Sequence, residues 1–299
     1  MATRIVVAGA TGSVGRAVIR LARARGLHTV AIGRDAARLQ SAGADEAREV
    51  NFQQPESLRV AMLPGDVVFS SLGASASPSP FMGRKRYRDV DVPLNTALLE
   101  AAKQAGAARF QYVSLAFGRD LRQYAFADAH ETVVDAVVAS GLRYTILRPT
   151  GIFSTFRRLW GFAKLGVFPI PGNPECRSNP IHEDDIAANA LDSLARGDEQ
   201  LEIGGPEVFT RREIGLQMCQ AAGWKHGSTL RIPKWVHLGS AHLLAIISPR
   251  VLDMLRFYWA ISVFDNIAPV AGQRRLADYY AEAARHKPGV LGGLHRSGW

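Results

Sequence analysis

Short β-branched runs alternate with stretches of helical period along the first half of the chain. Arg4–Ala8 (RIVVA) is an uninterrupted apolar run, the pattern of a parallel strand covered on both faces. Val14, Ala17, Val18, Leu21 and Ala22 then recur at the spacing of one helix face, with Arg16, Arg20 and Arg23 on the others, and Gly26 ends that helix. Leu27–Gly33 (LHTVAIG) reads as a second strand, and a third is expected to end near Asn51. Further strands are expected at Val67–Leu72, Arg109–Ser114 and Arg143–Leu147, with helices over Pro93–Gly106 and Ala127–Ser140 between them. This alternation implies an α/β protein built on a doubly wound, mostly parallel sheet.

Beyond Pro149 the pattern loosens. Pro169, Pro171, Gly172 and Pro174 predict a loop, Asp184–Arg196 a helix, and Leu201–Ile203 a strand that returns to the core. Thr210 and Glu213 have the T-x-x-E spacing of a capping box, so another helix starts there. Trp235–Ile247 is apolar but only 13 residues long and interrupted by His237, Ser240 and His242, too short and too polar for the ~20 residues of a membrane span. Val251–Phe264 has an amphipathic pattern. The favoured reading of residues 235–264 is a helix pair lidding the substrate side, with docking on a membrane or partner subunit as the alternative. His286–Trp299 lacks any period and reads as a flexible tail.

Composition narrows the classes. With 47% hydrophobic residues in 299 and no glycine or proline periodicity, disorder and collagen are excluded. The first residues have no signal-peptide pattern, and Cys176 and Cys219 stand apart without zinc-ligand spacing, so the expectation is a reducing cytoplasmic setting and no metal. The net charge of +9 could mean nucleic acid, membrane or an anionic ligand. Seven arginines against one acid in residues 1–40 place most of the excess at the N-terminus, and no nucleic-acid motif accompanies them. Arg84, Lys85, Arg86 and Arg88 form a second basic run, read as a solvated face with anionic contact as the alternative.

The strand Arg4–Ala8 is followed by Gly9, Thr11, Gly12, Ser13, Val14 and Gly15 at the opening of a helix, the context in which G-x-x-G-x-x-G binds a dinucleotide. Gly9 suits the tight turn, Gly12 the approach of backbone to pyrophosphate, and Gly15 the close helix packing. Amides from Thr11 to Val14 would face the phosphates at the positive end of the helix dipole. Arg34 follows the second strand and suits the 2′-phosphate of NADP, whereas the adjacent Asp35 suits the ribose of NAD; the balance favours NADP. Arg16 or Arg38 could supply a second contact. Phe52, with Asn51, is expected to flank the adenine, and Leu72 and Gly73 to lie against the cofactor. These observations define a Rossmann-type core over residues 1–150, a substrate-side region over 151–285 with elements returning to the core, and the tail.

VAGATGSVG, SLGAS, RFQYVS, SGLRYTILRPTGIF, NPIHEDDIAANAL and EIGGPEVFTRREI together resemble the atypical short-chain dehydrogenase/reductases of the NmrA-like, NAD(P)H-binding group, over about residues 3–285. The resemblance implies the fold and a nicotinamide dinucleotide. It leaves the activity open, because that group holds reductases, redox sensors and accessory subunits of respiratory complexes.

The wider family uses a serine at the end of the fifth strand and a Tyr-x-x-x-Lys pair on the next helix. Ser114 matches the serine, but Phe126 stands at the tyrosine position and His130 at the lysine position. Phenylalanine transfers no proton, whereas His130 could hold the ribose or act as an acid near neutral pH; Tyr124 is a less favoured acid. Ser114 and His130 are thus the candidate catalytic residues. His182, Glu183, Asp184 and Asp185 read as the dipole-favoured start of a helix rather than a metal site. Trp160, Phe162 and Phe168 could line an apolar substrate pocket or build core. The leading expectation is an NADP-dependent reductase of an apolar or aromatic small molecule such as an enone, aldehyde or quinone-like acceptor. The alternative is a cofactor-binding sensor or accessory subunit without turnover; sugar-nucleotide epimerisation ranks third because the tyrosine is missing.

Overall fold

The computed structural model describes residues 3–74 and 84–285; the expected tail, His286–Trp299, lies outside them. The N-terminal half runs β1 (Arg4–Ala8), α1 (Ser13–Ala24), β2 (His28–Gly33), α2 (Ala36–Gln40), β3 (Glu46–Glu49), α3 (Pro55–Arg59), β4 (Val67–Ser70), α4 (Asp91–Gln104), β5 (Arg109–Val113), α5 (Ala125–Ala139) and β6 (Tyr144–Pro149). There follow α6 (Phe153–Arg157), α7 (Trp160–Lys164), β7 (Val167–Pro171), β8 (Arg177–Ser178), α8 (Glu183–Asp192), β9 (Glu199–Ile203) and β10 (Phe209–Thr210). The chain closes with α9 (Arg211–Ala221), β11 (Ser228–Ile232), α10 (Lys234–Ala245), α11 (Pro249–Ile261) and α12 (Leu276–Arg285).

Seven strands form one sheet in the order β3-β2-β1-β4-β5-β6-β9, and every pairing in it is parallel. The expected doubly wound sheet is therefore present. The switch in direction between β1 and β4 opens a crevice at the carboxyl ends of the strands, where open α/β sheets bind ligands. Because successive strand residues face opposite ways, Ile5 and Val7 join a core with α1 and α8, whereas Val6 and Ala8 join one with α3, α4 and α5. β9, from beyond Pro149, completes the sheet beside β6, and the capping box at Thr210 and Glu213 starts α9 with both of its hydrogen bonds made.

The structure departs from expectation in several places. The Pro169–Pro174 segment is not all loop: Val167–Pro171 is a strand paired in parallel with β11. Prolines are accommodated there because the small sheet has only two strands, so each is an edge. The helix expected to Arg196 ends at Asp192 and continues as a 3-10 turn, Ser193–Ala195. Trp160 and Phe168 are buried with Ile214, Met218 and Tyr280 and build a third core, while Phe162 is half exposed at the surface, so Trp160 and Phe168 follow the core reading. Residues 235–264 hold the expected two helices. α11 packs Met254, Phe257 and Ala260 on Ala127 and Ala129 of α5, and α10 lies outside it against α11.

Candidate functional site

The β1–α1 turn has the geometry of a phosphate cradle. Gly9 takes φ +83°, and a Cβ there would stand 2.9 Å from the Ser71 backbone. Gly15 has ordinary backbone angles, but its Cβ would meet the Gly9 carbonyl oxygen at 2.3 Å, so only glycine lets α1 start this close to the turn. Gly12 is the N-cap of α1 and offers no side chain to the first-turn amides, and no acidic residue occupies that turn. Thr11 is half-buried and Gly12 and Ser13 are exposed, so the positive end of α1 faces outward, while Val14 anchors it in the core. A dinucleotide pyrophosphate fits this donor set.

At the end of β2 the arginine and the acid have different tasks. The Asp35 carboxylate accepts the Arg38 amide as the N-cap of α2. Arg34 lines a cavity of about 430 Å³ with Phe52, Leu72, Gly73, Arg84 and Arg250. Four of the residues named from sequence, Arg34, Phe52, Leu72 and Gly73, are thus brought together. Lys85 lines the same cavity, whereas Arg86 pairs with Asp253 and Arg88 with Asp128, so the basic run divides between a pocket wall and surface ion pairs. Arg16 donates to the Thr11 carbonyl, the Ser41 carbonyl and the Ser41 hydroxyl, bracing the turn rather than pointing to a ligand. Arg250, on α11, reaches the cavity through tertiary packing; its Nε donates to the Lys85 carbonyl and its guanidinium lies over the Tyr87 ring.

The two candidate catalytic residues are held by different partners. Ser114 is buried just past β5, and its hydroxyl donates to Glu131 Oε1 at 3.2 Å. Glu131 in turn accepts two hydrogen bonds from Arg148, at 2.6 and 3.0 Å, in an ion pair only 1% and 5% exposed. His130 Nδ1 lies 2.9 Å from the Tyr112 hydroxyl. Burial, reinforced by the Arg148 charge, lowers its pKa to about 4, so the imidazole is neutral near pH 7, which weighs against an imidazolium acid there. Phe126 stacks against Tyr87, His130 and Phe257 with ring centres 4.7–4.8 Å apart. The position of the family tyrosine has become part of an apolar seam between α5 and α11.

Four features were not named from the sequence as parts of the site. Asp91 begins α4, is fully buried, and accepts the Ala74 amide at 2.6 Å; its second oxygen has no hydrogen-bond partner among the described residues, and burial lifts its pKa to about 7. The Glu131–Arg148 pair and Arg250 were missed because neither has a local signal: each depends on residues far apart in sequence. A second cavity, about 420 Å³, lies between the segment after β5 and the end of α11, lined by Phe117, Leu121, Tyr124, Ala260 and Phe264 among others. Phe117 holds φ +57° there, a conformation that costs of order 1–3 kcal/mol and that clusters at ligand sites.

The remaining acidic cluster is structural. His182 caps α8, Glu183 accepts the Ser154 amide, Asp185 accepts the Gln273 and Arg274 amides, and Asp184 pairs with Arg20 and Arg274. Among the described residues no group of three or more His, Cys, Asp or Glu side chains is placed to hold a metal. Nor is any helix among them long and apolar enough to cross a membrane.

The chain is similar to several known proteins. The chain is 28% identical to the divinyl chlorophyllide a 8-vinyl-reductase of Oryza sativa subsp. indica, over 93% of this chain and 70% of that one. It is 25% identical to the photosystem II assembly factor Ycf39 of Guillardia theta, over 77% of this chain and 73% of that one. The NADPH complex of an Escherichia coli NADPH-dependent quinone oxidoreductase superposes with a TM-score of 0.68 at 18% identity, covering 93% and 99% of the two chains, a likeness of fold. The model of the NAD(P)H-binding family matches residues 9–196, which span the cradle, Arg34, Ser114 and His130, and the chain belongs to that family.

Proposed function

We propose that the chain is an NADP-dependent reductase that passes hydride to an apolar or aromatic small molecule such as an enone, aldehyde or quinone-like acceptor. The observation that carries this reading is Phe126: the site of the proton-relaying tyrosine is filled by a ring packed against Tyr87 and Phe257 and edge-on to a neutral histidine. With no relay at that position, the site best suits the enone and quinone-like acceptors, which delocalise the added charge and draw their proton from water or from a group of the acceptor cavity such as Tyr124.

Gly9, Thr11, Gly12, Ser13, Val14 and Gly15 hold the pyrophosphate, and Arg34 the 2′-phosphate, with Arg84, Lys85 and Arg250 adding positive charge around the same cavity. Phe52, Leu72 and Gly73 form the wall for the adenine end. When bound, the reduced nicotinamide supplies the hydride. His130, fixed by Tyr112, offers its remaining ring nitrogen to the ribose, and Ser114, oriented by Glu131, sits where the chain turns towards the second cavity. That cavity, with its aromatic and aliphatic lining, takes the acceptor. The vinyl reductase and quinone reductase named among the similar proteins support an acceptor of this kind.

The test is a fluorescence titration with NADPH and NADH followed by NADPH oxidation with enone, aldehyde and quinone acceptors. Tight NADPH binding with turnover that falls in Ser114→Ala and His130→Ala is the expected result. Binding without oxidation of NADPH by any acceptor refutes the reductase and favours a second reading, a cofactor-bound accessory protein. Phe126 also fits that reading, as does the similarity to an assembly factor.

A further inference from the structure

We propose that the outer face of α10 docks on an anionic lipid surface. Residues of a helix advance by about 100° each, so Trp235, Gly239, Leu243 and Ile246, the last at the C-cap, fall within roughly 80° of one another. His237 and Ala241, the buried positions of α10, face the opposite way, towards α11. The outward stripe is therefore apolar and open to water: Trp235 is 79% exposed, Leu243 68% and Ile246 75%, with Val236 and Ile247 beside them. A soluble helix normally reverses this arrangement, and so continuous an exposed apolar stripe marks an interaction surface.

Charge indicates the partner. Between Glu213 and Asp253 the sequence contains no acidic residue, while Lys225, Arg231 and Lys234, all exposed, precede or begin α10. An interfacial helix carries this combination, with a tryptophan, large aliphatic groups and basic flanks. A helix of 12 residues is about 18 Å long, which suits lying in the membrane plane rather than crossing it. A second copy of the chain is a poorer occupant, because a two-fold interface would set this basic segment against itself. The hairpin tip at Ile246 and Ile247 also lies close in sequence to Arg250 of the cofactor cavity, so docking would bring the cavity near the lipid.

The experiment is flotation of the full chain with vesicles of phosphatidylcholine alone or mixed with phosphatidylglycerol, at low and high salt. Recovery with the mixed vesicles, reduced in high salt and with phosphatidylcholine alone, is expected. Leu243→Glu/Ile246→Glu should lower recovery at least about tenfold, and Lys234→Glu by a smaller factor, with NADPH binding and thermal melting unchanged. Should the double variant misfold, Trp235→Ser, which adds no charge, gives the same reading with about a tenfold loss expected. Three outcomes overturn the proposal: no flotation with anionic vesicles, flotation unchanged in folded variants, or a dimer in sedimentation velocity that Leu243→Glu/Ile246→Glu dissolves, which would assign the stripe to self-association.

Discussion

Replacing Glu131 with glutamine tests whether the buried ion pair under Ser114 holds α5 against the sheet. The substitution keeps the side-chain shape and removes the charge that faces Arg148, whose guanidinium is 5% exposed and retains only the Leu115 carbonyl and Gln200 as neutral acceptors. Stranding one member of a buried pair costs about 3–5 kcal/mol. That is a large part of a domain stability of about 5–15 kcal/mol. Urea unfolding followed by far-ultraviolet circular dichroism measures it: with a slope of about 3 kcal/mol/M, the midpoint should fall by about 1–2 M. Glu131→Leu/Arg148→Leu removes both charges and should cost less than the two single leucine variants added together, because each single variant strands a charge that the double one does not. A midpoint within about 0.3 M of the parent for Glu131→Gln, or strict additivity in the double variant, would refute the reasoning and mean that water reaches Arg148.

The cofactor site makes sharper demands. Gly15→Ala places a methyl group 2.3 Å from a backbone oxygen and should cost about 2 kcal/mol or more and abolish NADPH binding; retained melting temperature and affinity would show that the turn can widen. Arg34→Ala should weaken NADPH by about tenfold to a hundredfold and leave NADH unchanged in parallel titrations, and equal weakening would remove the 2′-phosphate role. Asp35→Ala should cost about 1 kcal/mol of stability as a lost N-cap without altering the preference between the two dinucleotides; a shift in preference would place its carboxylate at the ribose instead.

The buried titratable groups oppose each other with pH. His130 stays neutral in the fold down to about pH 4, while its unfolded value is near 6.5, so its contribution to stability is lost as pH falls through that window. Asp91, raised to about 7 from 3.8, holds a proton that the unfolded chain releases, and its contribution is lost as pH rises. Asp91→Asn should therefore unmask a fall in stability of up to about 3 kcal/mol between pH 6.5 and 4, absent from Asp91→Asn/His130→Gln; matching profiles for the two variants would contradict the histidine's burial.

The sequence by itself determined what depends on local geometry. The β-branched runs and 3.6-residue periods placed the strands and helices of the parallel sheet, and the spacing of Gly9, Gly12 and Gly15 marked the cradle, because turn conformation and helix packing constrain residues only a few positions apart. Arg34 was legible for the same reason: it follows immediately after a strand end. Only the tertiary structure decided that Arg34 shares a cavity with Leu72 and Arg250, and that His130 is neutral, since residues distant in sequence set both outcomes, whereas Asp35 caps α2 through a local bond. It also brought Glu131 to Arg148, Asp91 to Ala74, and Arg250 to the cavity of Arg34. Such pairs join segments separated by 17 to 216 positions, and which of them meet is settled by how helices pack on the sheet, not by the pattern within any one element.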